Sequence, residues 1–209
     1  VRTPVLDLAR PLVAALVRLY FGAEFRGIEH IPGAGPVLIT PNHQTYADPP
    51  LVTLPIRRPV FYMAWRRLFE IPGFGWLIRR LRAFPVEIDS ADTRAARTAV
   101  RLLEAGHAVM IFPEGGRSPD GTVRPFRPGA FRLAATLRVP VLPVSIAGGH
   151  ACWPPGRILP RPGRITVVYH PLQWPEPGLE PRAAARELSE RVRAVIVAGL
   201  HHEGTGAAA

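Results

Sequence analysis

The sequence predicts a single α/β domain built on a mixed, largely parallel sheet flanked by helices. Three observations carry this. Seven short segments rich in β-branched or aromatic residues, each bounded by Gly or Pro, have strand character. Amphipathic helical patterns alternate with them along much of the chain. No repeat or low-complexity linker divides the 209 residues, a length that suits one domain with a substantial core.

Residues 4–22 predict a helix stopped by Gly22. Asp7, Arg10, Ala14 and Arg18 fall on one narrow edge of it, and almost everything else is apolar. The longest apolar run, 11–17, is too short to span a bilayer. This N-terminal segment therefore reads as an amphipathic helix that either packs on the domain or lies in a membrane interface. Strands are expected at 24–28, 37–40, 60–64, 83–88, 108–112, 141–147 and 164–169. Helices are expected at 93–103, stopped by Gly106, at 129–137 and at 181–200. The Gly/Ala-rich end offers nothing to bury and is expected to be disordered. The organisation is then an N-terminal helix over 1–22, one domain over 23–200 and a tail over 201–209.

The net charge is +10, and all 26 basic residues are arginine, which forks onto phosphate oxygens bidentately. Such a balance implies an anionic partner: nucleic acid, an anionic membrane surface, or an acidic substrate or carrier. Residues 57–82 concentrate the signal, with seven arginines interleaved with Phe61, Tyr62, Trp65, Phe69, Phe74 and Trp76. That mixture suits lipid headgroups and single-stranded nucleic acid equally. Cys152 is the one cysteine, so no intrachain disulfide forms; without an accompanying histidine motif it reads as filler beside Trp153. No signal peptide is expected, because no clean apolar run precedes a small-residue cleavage site. His201 and His202 lack ligand partners at useful spacing, so no metal site is expected.

The chemistry lies in two stretches. After the strand at 37–40 come Asn42, His43 and, five residues beyond the histidine, Asp48. Open α/β sheets place their sites beyond the carboxyl ends of strands. A neutral imidazole there can take a proton from a hydroxyl while a carboxylate on its other nitrogen fixes the tautomer. An isolated pair at this spacing is equally compatible with a loop hydrogen bond and a helix cap. The strand at 108–112 runs into Pro113-Glu114-Gly115-Gly116-Arg117-Ser118, whose glycines admit close approach of backbone N–H groups and whose arginine suits a phosphate. A base and an anion-binding loop at one end of one sheet suit acyl or phosphate handling.

These residues resemble the glycerolipid acyltransferases, typified by 1-acylglycerol-3-phosphate acyltransferase, in order over residues 27–149. Asn42-His43 with Asp48 is similar to the family's first block, and 112–118 to its third. Val139-Pro140-Val141-Leu142-Pro143-Val144 is similar to the fourth, and Phe126-Arg127-Pro128-Gly129 matches a basic residue before a glycine. Ala83-Phe84-Pro85-Val86 is similar to the second, but Glu87-Ile88-Asp89 follows where the family usually has an arginine for the acceptor phosphate; the next basic residue is Arg94. Gly116 stands where threonine is usual.

The resemblance implies a glycerol-3-phosphate acyltransferase-like fold and direct acyl transfer from an acyl thioester to a lysophospholipid acceptor. His43 is then the base and Asp48 its partner. Glu114, Gly115, Gly116, Arg117 and Ser118, with Arg94 and Arg127, hold the acceptor. No cofactor is implied beyond acyl-CoA or acyl carrier protein as co-substrate. The expected place is the cytoplasmic face of the cell membrane, peripheral or monotopic, on anionic lipid. Two alternatives stay open: the same transfer to another acceptor (glycerol 3-phosphate, another lysolipid, or an amino-acid or sugar lipid), and a non-catalytic lipid-binding protein. Nucleic acid is not an expected partner, because it leaves the His–Asp pair and the Glu–Gly–Gly–Arg loop without a role.

Overall fold

The computed structural model describes the backbone of residues 4–87 and 92–205 and the side chains of 11–87 and 92–202. The strands are β1 (Glu24–Arg26), β2 (Val37–Pro41), β3 (Val60–Trp65), β4 (Ala83–Val86), β5 (Ala108–Met110), β6 (Val141–Ala147) and β7 (Thr166–Tyr169). They form one sheet in the order β1-β7-β6-β2-β5-β3-β4. Every pairing is parallel except β6 with β7. The mixed, largely parallel sheet expected from the sequence is therefore the fold observed.

The central strands read as continuous apolar runs because both faces are covered. All five residues of β2, all three of β5 and the first six of β6 are buried. Successive side chains alternate between two cores. Val37 and Ile39 join Leu51, Ile56, Leu142, Val144 and Tyr169 on one face. Leu38 and Val109 join Ala99, Leu103, Phe131, Leu188, Val192 and Ile196 on the other. The second face is covered by α4 (Thr93–Glu104), α5 (Gly129–Leu137) and α7 (Pro181–Thr205). The shorter α2 (Asp48–Thr53), α3 (Phe74–Arg80) and α6 (Gly149–Cys152) were not expected.

Strand ends differ from expectation where local chemistry overrides the pattern. β1 stops at Arg26 because Gly27 turns the chain at φ 68°. A Cβ there would lie 2.0 Å from the Tyr169 carbonyl oxygen, so only glycine fits. β5 stops at Met110, and Ile111 and Phe112 lead into the loop headed by Pro113, which has no N–H to donate to a ladder. β4 ends at Val86, and Ile88 lies outside the described residues. β7 starts at Thr166, two residues late; Ile165 before it bonds the Phe21 carbonyl and the Glu24 amide, joining the strand to the end of the first helix.

α4 shows how its sequence specifies a helix. Ala95, Ala99 and Leu103 recur every four residues and are buried. Asp92 caps it, one carboxylate oxygen accepting the amides of Arg94 and Ala95 and the other the Glu87 amide. These backbone bonds hold the Asp92 carboxyl below its ordinary range. Asp92→Ala is expected to cost about 1 kcal/mol in chemical denaturation at neutral pH. A carboxyl whose folded pKa is depressed contributes above its unfolded pKa. The gap between wild type and variant therefore closes as pH falls through the folded value.

Two further expectations are corrected or narrowed. α7 runs to Thr205, so 201–205, expected as the start of a disordered tail, are helical; a helix once nucleated gains a hydrogen bond per added residue. Residues 206–209 lie outside the described residues. In α1 (Pro4–Phe21), Val17 and Phe21 join the core, while Leu12, Leu16 and Leu19 are 65%, 57% and 85% exposed. The described part of this helix therefore turns most of its apolar side chains outward. Its polar edge at Asp7 and Arg10 lies outside the described side chains.

Candidate active site

The site forms beyond the carboxyl ends of β2 and β5. Asn42 extends β2 by copying a peptide group: its amide donates to the Ile146 carbonyl at 3.1 Å and its oxygen accepts the Ile146 amide at 2.7 Å. That clamp on β6 fixes where the next residue, His43, leaves the sheet. The His43 amide donates to Glu114 Oε1 at 2.7 Å, and its carbonyl accepts the Ser118 amide at 2.8 Å. Its ring stacks on Phe112, with centroids 3.9 Å apart.

His43 Nδ1 lies 2.8 Å from Asp48 Oδ2, and Asp48 is fully buried. The same oxygen accepts the amides of Gln44 and Thr45, while Oδ1 accepts the Thr45 hydroxyl at 2.6 Å. Thr45 Oγ1 in turn accepts the Ala47 amide. Asp48 opens α2 but does not cap it; Ala47 is the N-cap, and the carboxylate faces back into the loop. With Nδ1 donating to Asp48, Nε2 presents its lone pair outward, the arrangement a general base requires.

The loop after β5 is fastened to this one. Glu114 is buried, and its two oxygens accept the amides of His43 and Arg124. Burial pushes its carboxyl above the ordinary range, against the smaller opposing pull of the two backbone donors. Its carboxylate thus ties loop to loop by main-chain contacts. Gly115 adopts φ 70°, and a Cβ on it would strike Arg127 Nε at 2.4 Å, so the glycine makes room for that guanidinium. The Gly115 amide is used, donating to the Phe112 carbonyl. Among the described residues the amides of Gly116 and Arg117 meet no protein acceptor, so they are the backbone donors this loop leaves for an oxyanion. Ser118 is buried; its hydroxyl bonds Asp120, whose carboxyl is pulled down to about 2 by Thr122 and Ser118.

Arg117 packs its guanidinium on the Tyr46 ring, 3.6 Å from the centroid, with Nη1 buried and, among the described residues, without a hydrogen-bond partner. The structure thus gathers His43, Asp48, residues 114–118 and Arg127. It does not bring Arg94 to them: that residue is exposed in the first turn of α4, and among the described residues no hydrogen bond or ion pair links it to the others. Beside β4, Glu87 is ion-paired with Arg66. Sequence reasoning missed Phe112, Thr45 and Tyr46. Thr45, three residues before an aspartate, carried a usable signal; the two ring contacts are tertiary and carried none.

Comparison with known proteins agrees with this arrangement. An acyltransferase family model matches residues 22–147. The chain is 34% identical over 178 residues to a 1-acyl-sn-glycerol-3-phosphate acyltransferase of Pseudomonas aeruginosa, covering 83% of this chain and 66% of that one. A chloroplastic enzyme of the same name from Brassica napus is 30% identical over 158 residues, covering 72% and 45%. The chain thus spans between about half and two thirds of the length of these relatives. A crystal structure of the 1-acyl-sn-glycerophosphate acyltransferase PlsC from Thermotoga maritima superposes with a TM-score of 0.75 at 29% identity, covering 98% of this chain and 84% of that one. On its fold, its ordered motifs and these matches, the chain belongs to the acyltransferase family.

Proposed function

We propose that this protein moves an acyl group from a thioester to the free hydroxyl of 1-acyl-sn-glycerol 3-phosphate, giving phosphatidic acid. The observation that carries the reading is the His43–Asp48 pair, its aspartate fully buried and its imidazole partly exposed, beside Arg117, whose Nη1 meets no hydrogen-bond partner among the described residues. The acceptor phosphate lies on Arg117, with Arg127 close by. Its hydroxyl oxygen attacks the thioester carbonyl as His43 Nε2 takes the proton. The oxyanion lies toward the amides of Gly116 and Arg117, worth about 3 kcal/mol if aligned. Collapse expels the thiolate, to which His43 returns the proton.

The anionic handle of the donor, acyl-CoA or acyl carrier protein, has a complement in a groove of about 870 Å³ lined by Phe126, Arg132, Arg182, Arg186 and Arg193. The place of work is an anionic membrane surface on its cytoplasmic side. Exposed Leu12, Leu16 and Leu19 on α1 and Phe74, Trp76 and Leu77 on α3 support that, set among arginines. Among the described residues no helix is long and apolar enough to cross a membrane.

Purified protein supplied with either donor is expected to convert lysophosphatidate faster than phosphate-free 1-acylglycerol, and to co-sediment with anionic but not zwitterionic vesicles. Arg117→Ala is expected to erase most of the acceptor preference, about tenfold or more, as loss of a charge-assisted contact implies. No phosphatidate from either donor would sink the reading. Glu87-Ile88-Asp89 follows the second block where the family usually has a phosphate arginine, and Glu87 is ion-paired with Arg66; this favours a second reading in which another acceptor is used. Equal or faster turnover of the phosphate-free acceptor would support it.

A further inference from the structure

We propose that Tyr46 is a positioning residue: its ring holds the Arg117 guanidinium in place to bind the acceptor phosphate. The proposal rests on Arg117 as the phosphate anchor. Tyr46 lies between His43 and Asp48, on the loop that Asp48 ties down through the amides of Gln44 and Thr45. Its side chain is not core: the residue is 53% exposed, yet its ring is braced edge-on by Trp153 at 5.9 Å. A large aromatic kept at the surface on a fastened loop needs another reason, and the guanidinium 3.6 Å from its centroid supplies one.

Stacking engages the flat face of an arginine and leaves its N–H groups, which lie in the plane, for a ligand. Arg117 Nη1 is buried and, among the described residues, meets no hydrogen-bond partner. A buried charged donor without an acceptor is costly, and a phosphate oxygen would satisfy it. Because ring and base share one six-residue loop, the anchor moves with His43 as one unit.

Steady-state kinetics on lysophosphatidate test this. Tyr46→Ala is expected to raise KM about tenfold while kcat stays within about threefold, since the His43–Asp48 bond does not involve the ring. Tyr46→Phe keeps the aromatic face and is expected to hold both constants within about twofold of wild type. An unchanged KM in Tyr46→Ala, a loss confined to kcat, or equal damage from Phe and Ala would overturn the proposal. If instead Arg117→Ala leaves KM unaltered, the anchor reading fails first. Should turnover be absent altogether, calorimetric titration with glycerol 3-phosphate gives the same comparison. A weakening of about tenfold in Tyr46→Ala alone supports the proposal, and equal binding by wild type and Tyr46→Ala refutes it.

Discussion

His43→Ala is expected to lower acyl transfer by three to four orders of magnitude with little change in stability. A positioned base contributes about 10²–10⁴-fold, and removing the base of a linked pair also idles its carboxylate partner. The substitution is clean for a structural reason. The bonds that fasten residue 43 run through its amide and carbonyl, to Glu114 and Ser118, and survive truncation of the ring. Asp48 keeps three other donors, the amides of Gln44 and Thr45 and the Thr45 hydroxyl. Thermal unfolding close to wild type, together with near-complete loss of turnover, would separate chemistry from folding. Retention of more than about a tenth of the rate would remove His43 from the base role.

Asp48→Asn is expected to cost about 10³-fold in kcat, by a different route. Its oxygen can keep the amides of Gln44 and Thr45, but the neutral amide no longer stabilises a positively charged imidazole. Turning the amide the other way sets an NH₂ group against two backbone donors. Asp48→Ala goes further, leaving those amides, the Thr45 hydroxyl and the imidazole without their buried acceptor. At about 1–3 kcal/mol for each unsatisfied buried donor, a stability loss of several kcal/mol is expected. Denaturant midpoints and kcat measured on both variants check the pair. An asparagine variant as active as wild type would assign the carboxylate a structural role alone.

Much of this was legible in the sequence, and the limits have physical causes. The strand at 141–147 was read with its ends because an apolar, β-branched run between turn residues allows little else. That His43 and Asp48 would pair was legible because a polar pair at this spacing beyond a strand end is uncommon. The first turn of α2 holds Pro49 and Pro50, which read as a loop, although proline is well suited to that position. α3 was hidden because its arginines and aromatics read as headgroup-facing composition. In the structure Arg79 and Arg80 lie over the rings of Phe69 and Trp76. Glu114 was expected to touch the acceptor, yet its oxygens are directed to backbone amides from loops 71 residues before it and 10 after it, a pairing no local pattern encodes.

The geometry of the His43–Asp48 site is held largely by peptide groups. The amides of His43, Gln44, Thr45, Ser118 and Arg124 make the fastening bonds, and any residue except proline supplies an amide. Side chains at 116 and 124 can therefore change without loosening the base; a Cβ at 116 would come no closer than 3.7 Å to the Arg124 guanidinium. A descendant of this chain can exchange those side chains while the His43–Asp48 arrangement passes on unaltered.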